Sequence, residues 1–405
     1  MNPRKVGLAL AGGGPLGAIY ELGALAALDE ALIGVDLAAC DAYVGVSSGA
    51  FIAAGLANGM TPGDMYRMFI ESETADDPFE PDILLRPAFG EFFGRLASTP
   101  ALFLGALRQY CEAPISRGFI ESFQRLARAL PTGLFDNSGI GDYLRALYSA
   151  PGRTNDFREL RRKLFIVATD LDVSEAVAFG APDRDDVPIS VAVQASSALP
   201  GLFPPVEIKG RRYVDGALMK TVHASVALKD GVKLLFCINP LVPFDARIAS
   251  RRRRDHPASL AEGGLPTVLS QTFRAIVHSR MQVGMDRYRK EYPDADVVLF
   301  EPSRGDADMF FTNVFSYSSR KRLSEHAYRN TRAQLRQRAE TLAPILARHG
   351  VALDMAALQD EHKTLAHLRS PRGRTHPHTL GRAATQLDRA LRDLDRLLKS
   401  TSRPA

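Results

Sequence analysis

Cysteine is scarce in this chain of 405 residues: Cys40, Cys111 and Cys237 stand far apart, with no C-x-x-C pair among them. Neither a disulfide framework nor a thiolate metal site can organise such a chain, and a reducing compartment is expected. Cys40 and Cys237 lie in apolar sequence and read as small core residues. No stretch approaches the roughly 18 consecutive apolar residues of a membrane span. Arg4 and Lys5 precede an apolar run, but Gly12 to Gly14 interrupt it where the helical core of a signal peptide would continue, so it reads as a buried first strand. The expected location is therefore cytoplasmic. Internal repeats are lacking, and so is any recognisable nucleic-acid motif, which makes nucleic acid a poor candidate partner. His, Cys, Asp and Glu form no cluster with metal-ligand spacing, and no metal or cofactor is expected.

Acidic charge is also in short supply at one end. The formal net charge is +5, yet residues 361–405 alone hold ten Lys/Arg against four Asp/Glu, so the preceding residues are close to neutral. Within that tail "SPRGRTHPHT" has linker composition, and Leu387, Leu391, Leu394 and Leu398 then fall at helical spacing opposite arginines. Arg251 to Arg254 form a second basic run. Such runs are ordinarily solvated; functionally, the two together have the character of a peripheral contact with an anionic membrane surface.

Apolar runs are what the chain does have. VGLAL (6–10), AYVGV (42–46), KLFIVATDL (163–171), VKLLFCI (232–238) and ADVVLF (295–300) are continuous rather than alternating, as strands buried on both faces of a parallel sheet are. The expected fold is α/β: a three-layer sandwich with a mostly parallel central sheet, a helical insertion at about 60–160 and C-terminal helices. Thr61-Pro62 supplies a helix cap and first-turn proline for the insertion, and its Phe89, Phe92, Phe93 and Phe103 read as packing or, alternatively, as a lipid-facing lid. Ser316 to Ala347 reads as helix, ended at His349-Gly350. The expected division is an α/β domain over 1–305, a helical extension over 306–365, and a basic linker and tail helix over 366–405.

Two glycine motifs sit at strand-to-helix junctions. Gly12, Gly14 and Gly17 satisfy G-x-G-x-x-G, which suits either a pyrophosphate or an oxyanion. A dinucleotide site needs an acidic residue at the end of its second strand, but here that strand runs into "GVSSG". Gly45, Ser47 and Gly49 make G-x-S-x-G between strand and helix, the setting of a nucleophile elbow. Ser47 is the expected nucleophile, and Ser48 offers its backbone N–H to an oxyanion. The first motif then reads as the rest of an oxyanion hole, with Gly12, Gly13 and Gly14 as donors and Gly17 allowing close helix packing.

With these motifs, and with "VATDLDVSEAVAFG" (167–180) and "ASSALPGLFPPVEIKGRRYVDGAL" (195–218) following in order, the chain resembles the patatin-like phospholipase family over about residues 6–225. The resemblance implies a lipid acyl hydrolase, acting on a lipid or other acyl ester, in which Ser47 pairs with Asp215 of Asp215-Gly216-Ala217 and no cofactor takes part. The chain departs from the family at Leu16, where a basic residue is usual, and at Thr221-Val222-His223, where Asn-x-Pro is frequent. His223 also permits a second arrangement, a Ser-His-Asp triad, against its plainer reading as a surface or helix-start residue. Asp170 and Asp172 read as turn residues. A non-catalytic lipid-binding protein on the same scaffold is the reading from a different class. With Asp215 as sole base, the pH profile is expected to lack an acidic limb near the histidine value of about 6.5.

Overall fold

The computed structural model describes residues 5–71, 132–249, 259–312 and 319–365. Cys111, the phenylalanines at 89–103, Arg251 to Arg254 and the basic tail at 366–405 lie outside the described residues. Those described belong to one compact unit, Met1–Leu368.

A mixed sheet with the order β6-β7-β4-β3-β1-β8-β9 forms the centre, with β5 also paired to β4. Its strands are β1 (Val6–Leu10), β3 (Ala42–Val46), β4 (Lys163–Asp170), β5 (Glu175–Phe179), β6 (Val206–Ile208), β7 (Arg211–Asp215), β8 (Leu234–Ile238) and β9 (Asp296–Phe300). A separate short pair joins β2 (Leu32–Ile33) to β10 (Ala352–Leu353). β4, β3, β1, β8 and β9 are mutually parallel, while β5 and β7 run antiparallel to β4. The five apolar runs read from the sequence are the parallel strands. The antiparallel ones were not anticipated, because Arg211 and Arg212 in β7, and Glu175 in β5, are exposed polar residues that shorten the apolar signal.

Side chains alternate across the sheet into two separate cores. Leu8, Leu10, Tyr43, Ile166 and Phe236 pack under the helices α1 (Gly14–Ala31), α2 (Ser48–Ala57), α3 (Ser138–Tyr148) and α4 (Ile189–Ser196). Ala9, Val44, Val46, Val167 and Cys237 point to the other face, covered by residues 224–228 and by Met281 and Tyr288 of α5 (Gly264–Glu291). This is the three-layer α/β architecture. Cys40 and Cys237 are both buried free thiols, and the Thr61 cap is realised, its hydroxyl accepting from Asp64 N–H while the Asp64 carboxylate accepts from Thr61 N–H, each at 3.1 Å.

The stretch expected as one helix from Ser316 is two, α6 (Arg320–Gln337) and α7 (Ala339–Ala347). α6 lies against α1 so closely that a side chain at Gly23 would meet the Ser324 carbonyl at 2.2 Å. Across that contact the Arg332 guanidinium pairs with Glu30, and Tyr328 donates to the same carboxylate at 2.7 Å. A buried pair held by several partners fixes a geometry rather than adding much stability. α1 is thus clamped between sheet and α6, which steadies the glycine loop at its N-terminus.

Candidate active site

The loops leaving the C-terminal ends of β1, β3 and β8 meet at one edge of the sheet. β3 ends at Val46, and Ser47 turns the chain into α2 with φ 52° and ψ −121°. A non-glycine residue there is strained, and such strain persists only where the surroundings impose it. They do so here. A Cβ on Gly45 would meet Ala50 Cα at 2.4 Å, and one on Gly49 would meet the Leu10 carbonyl at 2.5 Å, so both flanking positions need glycine for helix and strand to close together. Ser47 is buried, with 6% exposure.

A residue that the sequence reading passed over fixes the turn. Ser196, fully buried at the end of α4, accepts from Ser47 N–H at 2.8 Å and donates its own hydroxyl to the Val167 carbonyl at 2.6 Å. It lies within "ASSALPG", but a serine in an apolar segment shows no partner until the fold supplies one.

Asp215 ends β7. Its N–H donates to the Ala198 carbonyl at 3.0 Å, its carbonyl accepts from Thr169 Oγ1 at 3.1 Å, and Oδ1 accepts from Ala217 N–H at 2.8 Å. The Ser47 side chain is near enough to the carboxyl to favour its ionised form. Burial pushes it up to about 6, with the Ser47 and Ala217 hydrogen bonds acting in the opposite direction. A carboxyl so desolvated is expected to give an acidic limb of its own near pH 6, where the sequence alone led us to expect none.

The glycine loop faces the same point. A Cβ on Gly12 would lie 3.0 Å from Ser47 Cβ and 3.1 Å from Ala217 Cβ, so only glycine leaves the backbone next to the serine clear. Gly14 adopts φ 61° and opens α1, and the N–H groups of a first helical turn have no carbonyl acceptor within the helix. Gly13 and Gly17 both lie against the Pro240 ring, and Gly17 also faces Ser48 Oγ. Gly12, Gly13, Gly14, Ser47, Ser48 and Asp215 are therefore gathered in one place.

His223 is buried rather than at the surface, just ahead of the helix over 225–229, its carbonyl accepting from Val226 N–H at 3.0 Å. It is 4% exposed with φ 47°, its Nε2 bonds the Gly216 carbonyl at 3.2 Å, and burial pushes it down to about 4. Asp170 closes the turn after β4, accepting from Asp172 N–H at 3.1 Å and from Arg211 at 3.0 Å. Among the described residues one trio has metal-ligand proximity, Asp306, Asp308 and His326. Its groups are already engaged: Asp306 with His326 at 2.7 Å and Asp308 with Arg322 at 2.7 Å.

A family model described as patatin-like phospholipase matches residues 8–228, more than half of the sequence. The chain belongs to the patatin-like phospholipase family. The match spans the glycine loop, the elbow and Asp215, and membership makes this protein one of a family of phospholipase-type lipid hydrolases. Among solved structures, the chain is similar to VipD from Legionella pneumophila, at 17% identity over 80% of this chain and 67% of that one, with a TM-score of 0.32. It is also similar to the type III effector protein ExoU, at 16% identity over 83% of this chain and 53% of that one, with a TM-score of 0.36. It thus spans about half the length of ExoU.

Proposed function

We propose that the protein is a serine acyl hydrolase of the phospholipase A or lysophospholipase type, working through Ser47 and Asp215. The observation that carries this reading is the approach of a strained, buried serine to a buried carboxyl beside a side-chain-free glycine loop. Asp215 takes the proton from Ser47 Oγ as the oxygen attacks the ester carbonyl carbon. The oxyanion is received by backbone N–H groups of Gly12 to Gly14 and Ser48, and the α2 N-terminus adds a favourable field. Collapse breaks the ester bond, and the departing alkoxide takes the proton from Asp215. Water then attacks the acyl-enzyme with Asp215 again as base, releasing the carboxylic acid and restoring Ser47.

The dyad is favoured over a triad because the His223 ring is held by the Gly216 carbonyl rather than between the other two groups. No metal enters this chemistry, and activity should survive EDTA. Contact with an anionic lipid surface is assigned to the basic tail; no described helix is long and apolar enough to cross a membrane. The deciding experiment is turnover of a short-chain p-nitrophenyl ester and of mixed phospholipids by wild type and Ser47→Ala. Turnover in the first and none in the second is expected; none in either would favour the non-catalytic lipid-binding scaffold, and equal turnover in both would remove Ser47 from the chemistry.

A further inference from the structure

An arginine removed from water needs an anion or a full set of acceptors in place of its hydration. Arg274 on α5 is only 7% exposed and has little of either. One guanidinium nitrogen reaches the Val242 carbonyl at a long 3.4 Å, and the group lies over the Phe310 ring, 5.2 Å from its centroid. Among the described residues no carboxylate pairs with it. Burial, with no acid to oppose it, pushes its pKa down to about 10, whereas Arg247 beside Asp245 is pushed up.

Arg274 lines a small, partly open surface recess of about 10 Å³ together with Val242, Ser303, Arg304, Asp306 and Phe310. Its walls are the loops leaving the C-terminal ends of β8 and β9, at the edge of the sheet that carries Ser47. Arg304 is exposed and makes no ion pair among the described residues. Asp306, the carboxylate of the lining, is engaged elsewhere: Oδ1 accepts from Met309 N–H at 3.2 Å and Oδ2 bonds His326 Nε2 at 2.7 Å. That bond raises the imidazole pKa and so favours a cation there. Glu301 and Asp245 are near enough to feel the Arg304 charge, but among the described residues neither guanidinium of the recess is held in an ion pair.

We propose that this recess is a binding site for the phosphate of an anionic lipid head group, held between Arg274 and Arg304 with the Ser303 hydroxyl as a further donor. Guanidinium forks match phosphate oxygens, and stacking on Phe310 fixes the plane of one fork in advance. A lipid source fits the surroundings better than free phosphate, because Phe244, Phe310 and Phe311 cluster at the site and Phe311 is 38% exposed. In sheet order β8 lies two strands from β3, roughly 10 Å at about 4.8 Å per strand. That exceeds the few bonds between phosphate and acyl carbonyl within one phospholipid, so the bound phosphate belongs to a lipid neighbouring the substrate. Val242 is two residues from Pro240, whose ring touches Gly13 and Gly17, so an occupied recess also braces the glycine loop.

The test is binding by calorimetry and thermal shift, on the full chain carrying Ser47→Ala so that no lipid is consumed. The ligands are dihexanoyl phosphatidic acid below its micellar concentration, dihexanoylglycerol as the phosphate-free control, and inorganic phosphate. Phosphatidic acid should bind and raise Tm, and the diacylglycerol should not. Arg274→Met and Arg304→Gln should each weaken binding about tenfold or more, as loss of a charged partner does. Without ligand, Arg274→Met should melt at or above the parent temperature, since it removes an unpaired buried cation. Unchanged affinity in both variants, or no binding to the parent, overturns the proposal. A marked fall in the unliganded Tm of Arg274→Met does so too, by showing the arginine to be internally satisfied. Inorganic phosphate binding as tightly as the lipid overturns the lipid source. The lipid arm rests on the acyl hydrolase reading, and hydrolysis of a phosphate-free p-nitrophenyl ester by the wild type, measured alongside, reports on that reading separately.

Discussion

Val46 and Asp215 take consecutive places along one edge of β4: Val46 pairs with Val167, and Asp215, arriving from the opposite direction, pairs with Ala168. β5 occupies the other edge over Ile166 to Asp170, so parallel β3 and antiparallel β7 must meet end to end. Backbone pairing therefore sets the approach of Ser47 to Asp215, rather than loops that wander independently.

The pH dependence follows from burial of the base. Asp215 must be ionised to accept the Ser47 proton and titrates at about 6, so kcat/KM should fall below pH 6 and level off above it. His223→Ala should leave that limb in place. A limb that disappears with the histidine would shift the role of base to the imidazole, whose own value of about 4 would otherwise put a limb well below this one.

Stability should respond in the opposite sense. The folded pKa of Asp215 lies above its ordinary 3.8, so the favourable, protonated state is complete below about pH 4 and is lost as pH rises to about 6. At pH 7 the buried charge costs up to about 3 kcal/mol. Asp215→Asn should abolish turnover by several orders of magnitude yet raise stability at pH 7, with little gain at pH 4. Urea unfolding at the two pH values is the measurement; equal effects at both would argue against a desolvated carboxylate.

Ser196 should behave as a positioning residue. Ser196→Ala leaves the Ser47 N–H and the Val167 carbonyl without their shared partner, a loss of about 1–3 kcal/mol. The looser elbow should lower kcat about tenfold with KM little changed. Ser196→Thr, which restores a hydroxyl, should recover part of both; a purely structural role would move Tm and spare kcat.

Gly12→Ala tests the glycine loop. The new methyl would press on Ser47 and Ala217 Cβ atoms at 3.0 and 3.1 Å, so the loop must withdraw by a few tenths of an ångström from where the oxyanion forms. A loss in kcat of about a hundredfold is expected, the scale of one oxyanion donor, with Tm changed far less. Full activity in this variant would remove the loop from the mechanism.

The sequence by itself determined whatever depends on neighbouring residues. Continuous apolar runs specify strands buried on both faces, and G-x-S-x-G specifies a tight turn from strand to helix, because period and backbone conformation are local properties. Ser47 and the glycine loop were legible for that reason, and Asp215 only through likeness to a family. The tertiary structure alone decided the rest. β7 carries exposed Arg211 and Arg212, so its place follows from register against β4, a long-range pairing with no local pattern. Ser196 gained its role only when α4 packed at the end of that strand. The same burial that no segment could reveal raised the Asp215 pKa, lowered that of His223 and left Arg274 without a counter-ion among the described residues. Desolvation depends on everything that surrounds a group, and the surroundings exist only once the chain has folded.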